Sequence, residues 1–367
     1  MPPASPAIKE PSEKAVRWVR RLDDAPEQVA EVHQDRHNHH MSDDILDWLT
    51  EGDPAIRWQT ERDLLHQAPE VWAATRSEVG EAGWGKRLLD CQDQEGTWGK
   101  GLYGPKWTST TYTLLLLRQL GLPPSNSQAI AGCTTLLDGA DWIDGGVSLF
   151  TGQQLAERCV NGMVLSLASY FDVPDSRADS IAESLQAGNM FDGGWNCEDY
   201  RGATHSSFHS TISVLEGLLA WKRRTASRDA DEAIARGQEF MLRHQMYLSH
   251  RTGEVINQAW TTFHFPPRWH YDVMRGLDHL QDADASTDHR AAGAIELVRS
   301  KRRKDGRWDK GSQYSGKVFF VLEPGRAPGR WNTLRALRIL NWWRGDAPTP
   351  GRELSAGRSQ PPEHLHM

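Results

Sequence analysis

Residues 92–98 read Gln-Asp-Gln-Glu-Gly-Thr-Trp, and the last four form a pattern of acid, Gly, any residue and Trp. The pattern recurs as Asp-Gly-Gly-Trp at 192–195 and as Asp-Gly-Arg-Trp at 305–308. Three further glycine turns complete a series with a spacing of about 50 residues: Gly52, Gly145 and Gly253. A period of that length predicts a fold built from repeated supersecondary units.

Each turn lies between two segments whose apolar residues recur at the i, i+3, i+4 spacing of an amphipathic helix. The first helices, before the turns, are predicted at 43–49, 83–91, 128–137, 178–185, 233–246 and 291–299. The second helices, after the turns, are predicted at 56–65, 108–120, 159–171, 207–221, 269–280 and 331–343. Six helix–turn–helix hairpins follow, and with them an all-α fold.

Tryptophan is the unusual feature of the composition, with 16 copies in 367 residues. An indole N–H needs a hydrogen-bond partner when it is buried, so this many copies call for a structural role. We expect Trp98, Trp195 and Trp308 to be buried between adjacent hairpins. A basic residue followed by Trp also begins four of the second helices: Arg57-Trp58, Lys106-Trp107, Arg268-Trp269 and Arg330-Trp331.

The turns resemble the Q-x-x-D-G-x-W repeats of the terpenoid (squalene–hopene) cyclases. These cyclases share the α/α-toroid superfamily with protein prenyltransferase β subunits. Residues 92–98 match with Glu for Asp, and Asn189 and Arg302 replace Gln in the other two copies. The resemblance covers residues 42–344 and implies a single (α/α)6 toroid with the second helices inside. Residues 1–41 and 345–367 are predicted to be disordered tails.

In such a ring the second helices begin at one mouth, where their unpaired N–H groups favour an anionic ligand. The resemblance also implies chemistry at the mouth, because prenyltransferase β subunits hold one zinc there with Asp, Cys and His. Lanthionine-forming cyclases of the same fold use Cys, Cys and His. The sequence lacks the D-x-C pair of the former, the adjacent Cys-His of the latter and the D-x-D-D acid of class II terpene cyclases.

The residues still indicate a zinc site of their own. Cys159 begins the second helix of the third hairpin, and Cys197 follows the turn at Trp195. If units three to five are neighbours, these two thiols converge with a histidine, and such a set suits tetrahedral zinc. His209 is the preferred third ligand, and His205 and His270 are the alternatives. The simpler interpretation makes each Cys a small buried hydrophobe.

Other side chains near the same mouth are candidates for catalysis and substrate binding. Asp192, Glu198 and Asp272 are the candidate acids or bases. The candidate substrate-binding residues combine an amide, two cations and an aromatic ring: Asn161, Arg158, Arg268 and Trp269. Arginine side chains there would clamp a diphosphate or a carboxylate.

Four functions remain open at this point. The first is a zinc-assisted, prenyltransferase-like or cyclase-like enzyme with an isoprenoid-like or other hydrophobic substrate in the toroid cavity. The second is a terpenoid cyclase with an atypical acid. The third is a non-catalytic toroid that binds a lipid or a protein. The fourth is a glycosidase-type barrel with Asp192 and Asp272 as its carboxylate pair. Catalysis itself and the need for a second subunit are not decided by the sequence.

Composition excludes other classes. A formal net charge of −7 argues against a nucleic-acid partner. No run of 18 apolar residues is present, so no membrane-spanning helix is expected. Four cysteines in a chain of this length do not form a disulfide framework, and no secretory signal is visible, so we expect a cytoplasmic protein.

Overall fold

The computed structural model describes residues 43–150 and 155–345, and most of these residues are helical. The α-helices are α1 (43–50), α2 (Pro54–Asp63), α3 (Pro69–Ser77), α4 (Gly83–Leu89), α5 (Thr110–Leu120), α6 (Ser127–Asp138), α7 (Arg158–Tyr170), α8 (Arg177–Ala187), α9 (Phe208–Thr225), α10 (Asp231–Arg243), α11 (Val273–Asp282), α12 (Ala292–Ser300) and α13 (Arg330–Arg344). Two short strands, β1 (Asp141–Ile143) and β2 (Gly146–Ser148), pair as an antiparallel hairpin. The all-α prediction is confirmed for the described part of the chain.

The predicted first helices correspond to α1, α4, α6, α8, α10 and α12, and the predicted second helices to α2, α5, α7, α9, α11 and α13. One helix, α3, was not predicted. Pro69 occupies its first turn, where a missing N–H costs nothing. The predicted tails lie outside the described residues, apart from Gly345.

The three turn tryptophans are buried as expected. Trp98 and Trp195 have no exposed surface, and Trp308 is 1% exposed. Each indole N–H donates to the main-chain carbonyl ten residues earlier, at 2.7–2.8 Å. Each tryptophan main-chain N–H donates to the hydroxyl of a threonine on the following second helix. One hydrogen-bonding scheme therefore recurs at all three turns.

The first residue of each repeat varies in type but not in its contact. Gln92, Asn189 and Arg302 each donate a side-chain hydrogen bond to the carbonyl of the residue four positions later, at 3.0, 2.6 and 3.0 Å. Any side chain that can place an N–H there holds the turn. This explains why two of the three copies depart from Gln.

The turns pack on the next hairpin along the chain. A Cβ on Gly132 of α6 would lie 2.6 Å from the Trp98 ring, and one on Gly237 of α10 would lie 2.7 Å from the Trp195 ring. A Cβ on Gly306, in the last turn, would lie 2.6 Å from Ile45 of α1. Glycine is therefore required at both helix positions, because any side chain would displace the indole.

The second helices contact one another in sequence order. α5 contacts α7, α7 contacts α9, α9 contacts α11 and α11 contacts α13. The last of them, α13, contacts α2, and Trp58 of α2 donates to the Leu120 carbonyl of α5 at 3.0 Å. α7 and α9 approach most closely, because a Cβ on Gly162 would lie 2.4 Å from the Ser213 carbonyl oxygen. Gly162 therefore serves helix packing.

Ion pairs join neighbouring second helices. Arg275 of α11 bonds both carboxylate oxygens of Glu216 on α9 at 2.8 Å, and Arg335 of α13 bonds Asp278 of α11 at 2.8 Å. Burial raises the pKa of Glu216, but the charge and hydrogen bonds of Arg275, together with the charges of Arg118 and His279, outweigh burial and leave this pKa below its usual value. Arg338 of α13 also reaches α2 through a 2.9 Å hydrogen bond to Gln59.

Candidate functional site

Two of the predicted ligands meet at the start of α7. Cys159 is the second residue of this helix and Glu157 is its N-cap, while Cys197 lies two residues after the buried Trp195. The two sulfur atoms and a carboxylate oxygen of Glu157 all lie within 4.8 Å of one another. Both cysteines are free thiols. These three residues are the cysteine group, and their donor atoms suit a metal such as zinc.

Hydrogen bonds make the two thiols unequal. The Cys197 sulfur accepts the Cys159 main-chain N–H at 3.1 Å and the Ser210 hydroxyl at 3.3 Å. The Cys159 thiol, followed by these donors, lowers the pKa of Cys197. The same thiol pairing, together with burial, raises the pKa of Cys159 well above its usual value. Without metal, Cys197 is therefore the thiol of the pair that ionises first.

Glu157, which the sequence analysis did not select, takes the place expected for a histidine. Burial raises its pKa, as expected for a carboxylate beside sulfur atoms and away from water. A signal was present, because Glu157-Arg158-Cys159 has the spacing of a D-x-C pair with one additional methylene. This spacing was overlooked because a histidine was expected as the third ligand.

His209, the preferred third ligand, does not join the cysteine group. Its Nδ1 accepts the main-chain N–H of Tyr271 at 2.8 Å, so the neutral ring carries its proton on Nε2. That nitrogen is a donor and cannot coordinate a metal in this tautomer. Burial, with a smaller contribution from Arg275, lowers the pKa of His209 to about 4.

The two alternative histidines are also engaged elsewhere. His205 is exposed, with Nδ1 2.8 Å from the Thr204 hydroxyl and Nε2 3.4 Å from Arg251. The His270 ring stacks between Trp269 and Tyr314, with both centroid distances at 3.8 Å. Within the described residues, no histidine nitrogen forms a ligand group with the two sulfurs.

The three candidate acids have structural partners. Asp192 accepts the main-chain N–H of Ser206 at 2.9 Å and also its hydroxyl, which ties the turn to the segment before α9. Asp272 is fully buried, caps α11 and accepts the main-chain N–H of His264 at 3.0 Å. Glu198 is exposed and pairs with an arginine three residues later. None of the three lies in the cysteine group.

Two candidate substrate-binding residues are engaged in the same way. Arg158 forms an ion pair with Asp199 at 3.0 Å. The Asn161 amide accepts the Val147 N–H at 2.7 Å and donates to the Val147 carbonyl at 2.8 Å. Asn161 thereby joins α7 to β2, and its amide is not available to a substrate.

The other two, Arg268 and Trp269, lie in an aromatic region. The Arg268 guanidinium is 5.5 Å from the centroid of Trp107, and the Lys106 ammonium is 5.3 Å from that of Trp269. Within the described residues, neither cation has an ion-pair partner. Burial lowers the pKa of Arg268 to about 10. These cations are therefore placed to attract an anionic group.

Aromatic side chains connect these cations with the cysteine group. The Tyr112 hydroxyl donates to that of Tyr103 at 2.8 Å, and the Tyr112 ring lies 4.8 Å from that of Trp107. Burial raises the pKa of Tyr103, and Cys159 and Glu157 raise it further, which places this phenol beside the cysteine group. Aromatic side chains therefore fill the space between the thiols and the cations.

A loop crosses the start of α5 and covers these aromatic side chains. We call residues 312–320 the strap. Lys317 exchanges main-chain hydrogen bonds with Lys106 and Trp107 at 2.9 and 2.7 Å. The Trp107 indole donates to the Ser315 carbonyl at 2.9 Å. Under the strap lies a small cavity of about 10 Å³, lined in part by Trp107 and Arg268.

No protein-family model matches this chain, and no curated protein sequence matches it. Within the described residues, no helix has both the length and the apolar character needed to cross a membrane.

Proposed function

We propose that residues 42–344 form a single (α/α)6 toroid. The support comes from the order of helix contacts, because each second helix touches the next and α13 touches α2. The last turn adds support, since Gly306 approaches Ile45 of α1. A ring of six hairpins accounts for both contacts between the beginning and the end of the described chain.

Within this ring, the chain acts as a zinc-dependent, prenyltransferase-like enzyme whose metal is held by Cys159, Cys197 and Glu157. The proposal depends on one observation, the approach of these three donors to within 4.8 Å. Zinc held by three protein ligands has an open position, where it supplies Lewis acidity toward a thiol or a water. In the metal-free chain, the Ser210 hydroxyl and a main-chain N–H in the first turn of α7 donate hydrogen bonds to the Cys197 sulfur, which favours its thiolate form.

The surroundings indicate the substrate. The partly exposed Trp269 lies near the buried rings of Trp107 and Tyr112, and within the described residues Arg268 and Lys106 are two cations without carboxylate partners. A hydrophobic, isoprenoid-like molecule with an anionic group fits both features. The His209 ring lies 5.2 Å from that of Trp269, and its Nε2 proton makes it a hydrogen-bond donor.

A non-catalytic toroid that binds a lipid or a protein is the second candidate. It is favoured by the ion pairs that join neighbouring second helices, such as Glu216–Arg275 and Asp278–Arg335. These charged side chains lie between the second helices, where a hydrophobic substrate would otherwise be enclosed. The atypical-acid cyclase and the glycosidase gain no comparable support, since Asp192 and Asp272 hold main-chain groups.

Metal analysis of the purified, tag-free chain tests the proposal. We expect one zinc per chain that is lost in Cys197→Ser and Cys159→Ser and weakened in Glu157→Gln. The matched control is Cys91→Ser, a half-buried thiol just after α4 that bonds the Arg87 carbonyl and should not affect the metal. The histidine-rich residues 33–40 are present in every variant, so any metal they bind cancels in the comparison.

Equal metal content in wild type and Cys197→Ser would overturn the zinc site. Enzyme and binding module are then separated by turnover. The enzyme predicts that a thiol acceptor is alkylated by an isoprenoid diphosphate only in the zinc-loaded chain. Tight binding of the isoprenoid without alkylation would favour the second candidate.

A further inference from the structure

His264 lies between a serine and an aspartate that the proposed metal centre does not use. Its Nε2 is 3.5 Å from the Ser312 hydroxyl oxygen, and its Nδ1 is 3.8 Å from a carboxylate oxygen of Asp272. We propose that these residues form a second catalytic site, a Ser-His-Asp arrangement that hydrolyses carboxylic esters without a metal. Ser312 and His264 are its catalytic residues, and Asp272 positions the imidazole.

Asp272, His264 and Ser312 are increasingly exposed in that order, as this chemistry requires. Asp272 has no exposed surface, His264 is 8% exposed, and Ser312 is exposed on the strap. A buried carboxylate, a shielded imidazole and an accessible hydroxyl are the parts of an acyl-transfer site. The chain order is His, Asp, Ser.

The tautomer of His264 is the one the mechanism needs. Within the described residues its Nδ1 is buried without a hydrogen-bond partner, and the neighbouring acceptor is the Asp272 carboxylate. The proton of the neutral ring therefore belongs on Nδ1, and the Nε2 lone pair faces Ser312. Asp272 is held in place, because it accepts the main-chain N–H groups of His264 and Arg275 at 3.0 and 2.8 Å. Such contacts are commonly long before substrate binds.

The strap is held against His264 by close packing. A Cβ on Gly311 would lie 2.1 Å from the Phe263 carbonyl oxygen, so glycine alone fits beside the nucleophile. The Asn332 amide donates to the carbonyls of Phe263 and Asp309 at 3.0 and 2.9 Å, which ties both segments to α13. The Tyr314 ring stacks on His264 at 4.5 Å.

The reaction needs only an ester and water. The Ser312 oxygen attacks the ester carbonyl while His264 Nε2 takes the hydroxyl proton. The carbon–oxygen bond to the alcohol then breaks, and the alcohol leaves with that proton. Water attacks the acyl-serine, His264 takes a proton from it, and the carboxylic acid leaves as the serine is restored. Within the described residues, the N–H groups of Ser312 and Gln313 have no acceptor, so they are free to stabilise the oxyanion.

The full chain treated with a fluorophosphonate probe, and assayed with p-nitrophenyl acetate, tests the proposal. We expect stoichiometric labelling that peptide mapping places on Ser312. Ser312→Ala should abolish labelling and reduce ester hydrolysis by about 100-fold or more. Ser315→Ala is the matched control, an exposed serine on the same strap, and should retain both.

Two further arms separate catalysis from folding. Asp272→Asn should lower kcat with little change in KM and should alter the pH profile of hydrolysis, which a merely structural role would not do. If Asp272→Asn does not fold, the Ser312→Ala result stands alone, because that side chain is exposed. EDTA should leave labelling unchanged. Unlabelled wild type, labelling that survives Ser312→Ala, or labelling lost on chelation would each overturn the proposal.

Discussion

Trp195 and Cys197 are two residues apart and belong to different kinds of region. Trp195 is fully buried, and its hydrogen bonds are repeated at Trp98 and Trp308. Cys197 is half-buried, and the same position after the other two turns is occupied by Lys100 and Lys310. Contacts that repeat hold the helices together, whereas Cys197 departs from the repeat and belongs to the metal site that we propose.

The largest expected effect concerns the repeated contact. Trp195→Ala should lower the free energy of unfolding by about 3–5 kcal/mol, because a large buried ring leaves a cavity. Chemical denaturation measures the change. Trp142→Ala is the control, since this ring is 36% exposed and lies outside the three turns. A loss under about 1 kcal/mol at Trp195 would mean that the turn does not hold neighbouring hairpins together.

Acid should affect the packed interior through His279. Burial lowers the pKa of His279 on α11 to about 4, against about 6.5 in an unfolded chain. The unfolded state then binds more protons between these values, so stability is complete above pH 6.5 and falls toward pH 4, by at most about 3 kcal/mol. His279→Gln should flatten this part of the stability curve. The exposed His289→Gln should not, and equal curves for both variants would contradict the assignment.

A smaller effect tests the first position of the repeat. Asn189→Ala should cost about 1 kcal/mol, because the Gly193 carbonyl loses its side-chain donor. Asn189→Gln restores the residue found at position 92 and should lie within about 0.5 kcal/mol of wild type. Urea unfolding of the pair decides the matter. An alanine variant as stable as the glutamine variant would show that the hydrogen bond contributes nothing.

The smallest effect on stability is expected at the cysteine group. In the metal-free protein, Cys197→Ser should change the free energy of unfolding by less than about 1 kcal/mol, since serine has the same shape, is only slightly smaller and can accept the same hydrogen bonds. The same variant should lose the zinc. Unfolding in EDTA, compared with unfolding in zinc, measures both. A large loss of stability without metal would place Cys197 in the scaffold with Trp195.

The helices could be predicted because each turn determines its own local structure. Glycine, an acid and Trp specify the turn, and the flanking periodicity specifies the helices. In the sequence, Asn189 and Arg302 match the Gln position of the repeat only weakly. The sequence does not show that each of these side chains, like Gln92, donates to the carbonyl four residues later. Helix α3 was missed because it falls outside the repeat.

The site was predictable in part. The two cysteines were found because repeat positions place them at neighbouring helix starts. His209 was chosen by residue type, and only the structure shows that Tyr271 occupies its Nδ1. Glu157 was passed over for the same reason. Ser312 and His264 are 48 residues apart, and no local pattern joins a strap to the segment before α11.

The meeting of α13 with α1 and α2 has a consequence for the chain as it is synthesised. Arg338 bonds Gln59 across 279 residues, and Arg330 bonds the Trp48 carbonyl across 282. During translation, α1 and α2 therefore emerge long before α13, and the surface that α13 contacts stays exposed until then. These partners meet only when α13 has left the ribosome, so a chain stopped before Arg330 should depend more on chaperones than one that contains α13.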